Sequence, residues 1–372
     1  MKRIITCSDG TWNKPGKKDR GTEVKTNVLK MYECICHEGK NAVKQVKIYD
    51  EGVGTGYTLK DRILGGATGA GIDKNIRDIY EFIMLNYEPG DEIYLFGFSR
   101  GAYTARSIAG FIRNCGILKK ENIHLVDKAY LFYRDRNDYT YPDSDLMKSF
   151  RATYCVEDIT PIYFLGVWDT VGALGIPLPW YKIANLNRYK FHDVKLSSFV
   201  KHAYHALAID EKRALFSPTL WEKSKTVLED ENHPQKLEQR WFAGVHSNIG
   251  GGYADCYLSN LCLQWLIDKA EDAGLCYNEP PHIKLADCDK GELRSSYSWP
   301  YWFWLPKWRK IDINDPISNQ TIDESVWERY KDKSRKYSPP NLKDYAATAE
   351  RGSLSIARNK ASEATADKHL QP

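Results

Sequence analysis

No stretch of the 372-residue chain approaches the about 18 consecutive apolar residues that a membrane-crossing helix requires. The opening MKRIITCSDG has a basic start but reaches Asp9 after only a few apolar residues. It therefore reads as a first strand rather than a signal peptide, and places the protein in the cytoplasm of the producing cell, with any export independent of a signal. An excess of one charge is also lacking: 53 basic residues face 49 acidic ones, a net charge of +4 that describes a solvated surface and not a nucleic-acid footprint. The nine cysteines are odd in number and lie scattered, without short paired spacings, which argues for buried thiols in a reducing compartment. Cys34, Cys36 and His37 in ECICHEGK lack the second ligand pair of a zinc site, so no metal is expected. The glycine-rich segments EGVGTG and GGATGAG have neither the G-K-[ST] ending of a phosphate loop nor the full dinucleotide fingerprint. No cofactor is expected, and these glycines serve close approach of backbone to the site. No internal repeat is present.

What the chain does hold is enough apolar material, 42% of residues, to build a packed core, together with 11 Trp and 24 Tyr that need surfaces to cover. Short apolar runs alternate with helical patterns. Strands are expected at residues 3–7 and 46–49, in EIYLFGF, in TPIYFLGVWDTVG and in QRWFAGVHSNIGGGY. Helices are expected after GGATGAG, after Ser99, across LSNLCLQWLIDKAEDAGL, and around FVKHAYHALAIDEKRAL. Runs that are apolar on both faces, alternating with helices, predict the α/β class: a mostly parallel sheet covered by helices on both sides. Residues 1–350 are expected to form one domain, with cap or lid insertions near 119–158, 175–230 and 285–340, and residues 351–372 a flexible tail.

The stretch DEIYLFGFSRGAYTARSIAGFI carries the chemistry. Gly97-Phe98-Ser99-Arg100-Gly101 fits G-x-S-x-G, with an apolar strand before it and a small-residue helix after it. That context marks a nucleophile elbow, in which Gly97 and Gly101 leave room for a sharp turn and the helix start directs backbone N–H groups at developing negative charge. A serine needs a base, and the base an orienter. In an open α/β sheet these sit just past the carboxyl ends of strands. Asp169 follows IYFLGVW and His246 follows RWFAGV, which makes Ser99 the nucleophile, His246 the base and Asp169 the acid, in the chain order this scaffold uses. Asp255, after the glycine run, is the alternative acid. His202 and His205 fall in the expected helix and read as satisfied residues, and Asp210 there could pair with Arg213. The oxyanion hole is expected from the N–H of Arg100 and from the SDGTWN loop, at Gly10 and Thr11. Asp9 and Asn13 fit ordinary turn chemistry there equally well.

Six motifs in order, CSDGTWN, GVGTG, GFSRGAYTAR, GVWDTVGALGIP, HALAIDEKR and WFAGVHSNIGGGY, resemble the α/β-hydrolase domain of type VI secretion phospholipase effectors and their uncharacterised relatives in bacteria and fungi, over roughly residues 2–280. The resemblance implies an α/β-hydrolase fold, hydrolysis of glycerophospholipid acyl esters without a metal, and the same roles for Ser99, Asp169 and His246. It also implies an immunity or secretion partner if the chain is an effector. The effectors carry a further membrane-docking region, which from the length of this sequence is not expected here. The aromatic block Trp299, Trp302, Phe303, Trp304 and Trp308, beside Lys307, Arg309 and Lys310, suits either a membrane interface in its place or a cap over the acyl pocket. Arg100 and Arg106 could serve a phosphate head group or salt pairs within the fold. Two other readings stay open: a small-ester or other acyl serine hydrolase, and a non-catalytic lipid-binding or scaffold module that retains the fold.

Overall fold

The computed structural model describes residues 1–10, 13, 15–52, 70–135, 137–171, 195–278, 288–297, 305–343 and 345. Seven strands form the main sheet: β1 (Arg3–Ser8), β2 (Gln45–Asp50), β3 (Glu92–Phe98), β4 (Ile162–Trp168), β5 (Val200–Ala208), β6 (Lys236–Phe242) and β7 (Gln320–Ile322). Their spatial order is β7-β6-β5-β4-β3-β1-β2, and every neighbouring pair is parallel. The inner strands β1, β3 and β4 are buried almost along their whole length. Both faces of such a sheet must be covered.

The covering helices are α1 (Asn27–Cys34), α2 (Ala70–Asn86), α3 (Arg100–Cys115), α4 (Val126–Arg134), α5 (Asp145–Tyr154), α6 (Tyr257–Asp272) and α7 (Glu324–Lys331). Met31 of α1 and Leu263 and Leu266 of α6 close one face over Ile5, Phe96 and Phe164. On the opposite face Ile76, Ile79 and Ile83 of α2 and Ile108 and Phe111 of α3 close over Ile4, Leu95 and Leu165. Alternate strand residues thus feed opposite cores, as the period of two requires. Thr26 starts α1 by accepting the N–H of Leu29, and Ser144 starts α5 by accepting that of Met147. Residues 119–158, expected as an insertion, supply α4 and α5 to the second core. Part of the region expected as a cap near 285–340 instead extends the sheet: β7 pairs with β6, and Val326 of α7 joins Leu207 and Trp241 in a third apolar cluster.

Residues 200–208 form a central strand, not the helix expected there. Its run VKHAYHALA is buried from Ala203 onward on both faces, and a short run of that kind has no surface side from which a helical period could be told.

β1 pairs with β2 on one side and β3 on the other, with α1 and α2 on opposite faces. The chain therefore leaves β1 in both directions, which puts the topological switch point of the sheet at the carboxyl ends of β1 and β3. Asp9 and Ser99 stand at that point.

Candidate active site

Ser99 follows β3 directly and is the N-cap of α3, with φ 58° and ψ −119°. A non-glycine residue at positive φ is strained, and such strain persists only where the surroundings hold it. The neighbouring glycines show how it is held. A Cβ on Gly97 would lie 2.4 Å from the Gly101 carbonyl oxygen, and one on Gly101 would lie 2.0 Å from that of Ser8 and 2.5 Å from that of Asp9. The turn thus presses α3 against the end of β1. The Ser99 hydroxyl does not cap its own helix. It faces His246 instead, with Oγ 2.8 Å from Nε2.

His246 opens the short helix His246–Gly250 just after β6. Its Nδ1 lies 2.6 Å from Asp169 Oδ2, so one imidazole joins the serine to the carboxylate. Phe98 and Phe216 flank the ring at centroid distances of 4.7 and 5.0 Å. Asp169 is the first residue after β4, at φ 41°, with its N–H donated to the Ala206 carbonyl at 2.8 Å. Strands β3, β4 and β6 therefore each deliver one of the three side chains from the same edge of the sheet, and all three are buried.

Asp169 has a partner outside every motif. Arg309 donates from Nη1 to Oδ1 at 2.5 Å and from Nη2 to Oδ2 at 3.0 Å. The same guanidinium donates to the Ala208 carbonyl at 2.9 Å and the Phe216 carbonyl at 2.5 Å. Oδ1 also accepts the Ala208 N–H at 3.0 Å. Complete burial pushes the Asp169 carboxyl up, but the charges and hydrogen bonds of Arg309 and His246 overcome it and hold the group well below the usual carboxylate range. Burial also lowers the His246 imidazole from its ordinary value, against the upward pull of Asp169. Both shifts favour an ionised Asp169 beside a neutral His246, the states in which a histidine can take a proton from a hydroxyl.

A second carboxylate meets His246 from its backbone side. Glu211 accepts the His246 N–H at 3.3 Å and the Ser296 hydroxyl at 2.8 Å, and is bound by Arg213 through Nε and Nη2 at 2.9 and 2.8 Å. Arg213 thus pairs with Glu211 and not with Asp210. Asp210 accepts the Gly244 N–H and the Tyr337 hydroxyl. His205 is fully buried on β5, where its Nε2 accepts the Thr170 N–H at 3.1 Å; its Nδ1 therefore carries the hydrogen toward Gln239 Oε1 at 3.3 Å. Its place is structural support beside Asp169.

The loop after β1 is organised by Asp9. This buried carboxylate accepts Gly10 N at 2.6 Å, the Thr26 hydroxyl at 2.5 Å and the Tyr49 hydroxyl at 2.8 Å. Gly10 therefore spends its N–H on Asp9, which removes it as an oxyanion donor, although a Cβ there would stand 3.1 Å from that of Ser99. Thr11 lies outside the described residues. Arg100 begins α3 next to Ser99.

Asp255 is not at the site: its Oδ1 accepts Tyr257 N and its Oδ2 accepts Glu292 N, at the start of α6. Arg106 donates to the Thr219 carbonyl and stacks on Trp221 at 4.6 Å. Of the aromatic block only Trp308 is described, half-buried with Lys212 Nζ 5.7 Å from its ring; Trp299, Trp302, Phe303 and Trp304 lie outside the described residues. Arg309, expected among interfacial cations, is buried against Asp169. Its neighbours Lys307 and Lys310 are exposed and alike in sequence, so nothing in the local pattern separates it from them. Glu211 lies in HALAIDEKR, and its place in that motif was the available signal. Among the described residues no cluster of three or more His, Cys, Asp or Glu is placed to hold a metal ion, and no helix is long and apolar enough to cross a membrane.

Comparison with known proteins adds three findings. Residues 2–269 match the family model described as T6SS phospholipase effector Tle1-like, catalytic domain. An uncharacterised protein of Saccharomyces cerevisiae is 31% identical over 233 residues, 58% of this chain and 32% of that one, so the chain spans about a third of that relative's length. Two solved structures are similar at low identity: an uncharacterized protein from Pseudomonas aeruginosa (18% identity, TM-score 0.43, 76% of this chain and 48% of that one) and the Tle1 effector bound to the VgrG spike of the type 6 secretion system (15%, 0.42, 80% and 77%).

Proposed function

This chain belongs to the family of Tle1-like type VI secretion phospholipase effector catalytic domains, and on that premise we propose that it is a serine hydrolase cleaving acyl esters of glycerophospholipids. The observation that supports the reading most is the unbroken line from the strained Ser99 through His246 to Asp169, at 2.8 and 2.6 Å.

In this reading His246 Nε2 takes the Ser99 proton as Oγ attacks the ester carbonyl carbon. The carbonyl oxygen becomes an oxyanion held by backbone N–H groups, for which Arg100 and Thr11 are the candidates. Asp169 holds the Nδ1–H and stabilises the imidazolium. The imidazolium then gives its proton to the departing lysolipid oxygen, leaving an acyl-serine. Water, deprotonated by the same imidazole, releases the fatty acid and restores Ser99. Phe98 and Phe216 keep bulk water off the ring. The aromatic block ending at Trp308 is the proposed contact with the lipid surface.

The test is fatty-acid release from mixed phospholipid vesicles, with short nitrophenyl esters in parallel, by wild type, Ser99→Ala, His246→Ala and Asp169→Asn. Loss of about 10³-fold or more in each variant on both substrates supports the reading. Cleavage of short esters alone removes the phospholipid substrate and leaves the serine mechanism. Full activity of Ser99→Ala removes both.

A further inference from the structure

We propose that Arg309 is a positioning residue for the hydrolytic site, setting both the orientation and the charge with which Asp169 meets His246. The inference rests on the Ser99–His246–Asp169 reading and deepens it.

The geometry carries the argument. Asp169 is fully buried, and a lone buried carboxylate is expensive unless it is paired and hydrogen-bonded. His246 Nδ1 and Ala208 N occupy one lone pair on each oxygen, and neither neutralises the charge. Arg309 spans both oxygens with its two terminal nitrogens, and a two-pronged contact of this kind fixes the plane of the carboxylate as well as compensating it. Its further bonds to the Ala208 and Phe216 carbonyls tie in the end of β5 and the loop whose Phe216 ring stands edge-on to the imidazole. One guanidinium thus holds the acid and one wall of the base. The Arg309 carbonyl is itself held by Asn341 at 3.1 Å, which anchors the residue to the chain packed on β6.

The charge has a consequence of definite sign. The charged groups facing His246 are Asp169 beyond β4, Glu211 and Arg213 beyond β5 and, through Asp169, Arg309. Removing the Arg309 cation leaves Asp169 uncompensated, so the Asp169–His246 couple binds its proton more tightly and the base becomes available only at higher pH.

The experiment measures kcat/KM against pH on a nitrophenyl ester for wild type, Arg309→Gln, Arg309→Lys and Ser99→Ala, with thermal unfolding of each. The acidic limb of Arg309→Gln is expected to move up by on the order of one pH unit, with part of the lost rate recovered at alkaline pH. Arg309→Lys, which keeps charge without the fork, keeps the limb and loses about tenfold in kcat. An Arg309→Gln protein that is folded and unshifted, with Ser99→Ala inactive, overturns the role of Arg309 alone. If the glutamine variant does not fold, a lysine variant with wild-type kcat overturns it. Activity surviving in Ser99→Ala overturns the underlying site reading.

Discussion

Gly101→Ala is the sharpest single perturbation of the elbow. The added Cβ would stand 2.0 Å from the Ser8 carbonyl oxygen and 2.5 Å from that of Asp9, where ordinary contact begins near 3.4 Å. The contacts are backbone, at the end of a strand paired on both sides, so no side chain can rotate away. About 1.4 Å of separation must open between α3 and β1. Overpacking of a well-filled site costs about 1–3 kcal/mol, and this one falls in or beyond the upper part of that range. Because Ser99 sits on the displaced turn, its Oγ moves relative to His246 by a comparable amount. A misplacement of about 1 Å costs on the order of 100-fold in rate. The assay is kcat/KM on a nitrophenyl ester beside urea unfolding, with Gly90→Ala as the control. Gly90 lies just before β3, has φ +89° and meets nothing within 4 Å, so alanine there carries backbone strain alone, about 1 kcal/mol, with activity retained. Wild-type rate and wild-type midpoint for Gly101→Ala would refute the reasoning.

Asp169→Asn is expected to lose about 10⁴-fold in kcat, while Asp255→Asn, which touches only Tyr257 N and Glu292 N, stays within about twofold; equal losses would reassign the acid. Burial pushes the His205 imidazole down to about 3, so the folded chain refuses a proton that the unfolded chain takes up below about 6.5. The stability this group contributes is fully present above pH ~6.5 and falls as pH drops toward 3, by up to about 1.4 kcal/mol per pH unit. Desolvation pushes Asp50 up to about 7 and Asp210 up to about 6, which acts in the opposite direction. The readout is therefore the difference between wild type and His205→Gln in urea unfolding from pH 7 to 4.5. A smaller acid loss in the variant is expected, and parallel curves would refute it.

Much of the site was legible because its residues sit where chain direction and chemistry coincide. Gly97, Ser99 and Gly101 stand within one short motif, so the elbow can be recognised locally, although the backbone that requires Gly101 is the distant end of β1. Asp169 and His246 were reachable because a strand-end position can be read from the apolar run before it. The strand at 200–208 escapes a sequence reading for the complementary reason: burial on both faces erases the period that distinguishes helix from strand. The sequence locates the loop of Gly10 but not the direction of its N–H, which Asp9 takes.

By itself the sequence determined the alternation of strand and helix, the serine turn motif and the order of serine, aspartate and histidine, since each of these is read from the few residues that flank it. Only the tertiary structure decided that all seven strands run parallel with the chain reversing its course at β1, that Glu211 backs His246 and that Arg309 clasps Asp169. Arg309 is 140 positions from the carboxylate it binds, and a buried ion pair across such a distance leaves no periodic or local trace, because desolvation and charge compensation act only once the chain has closed.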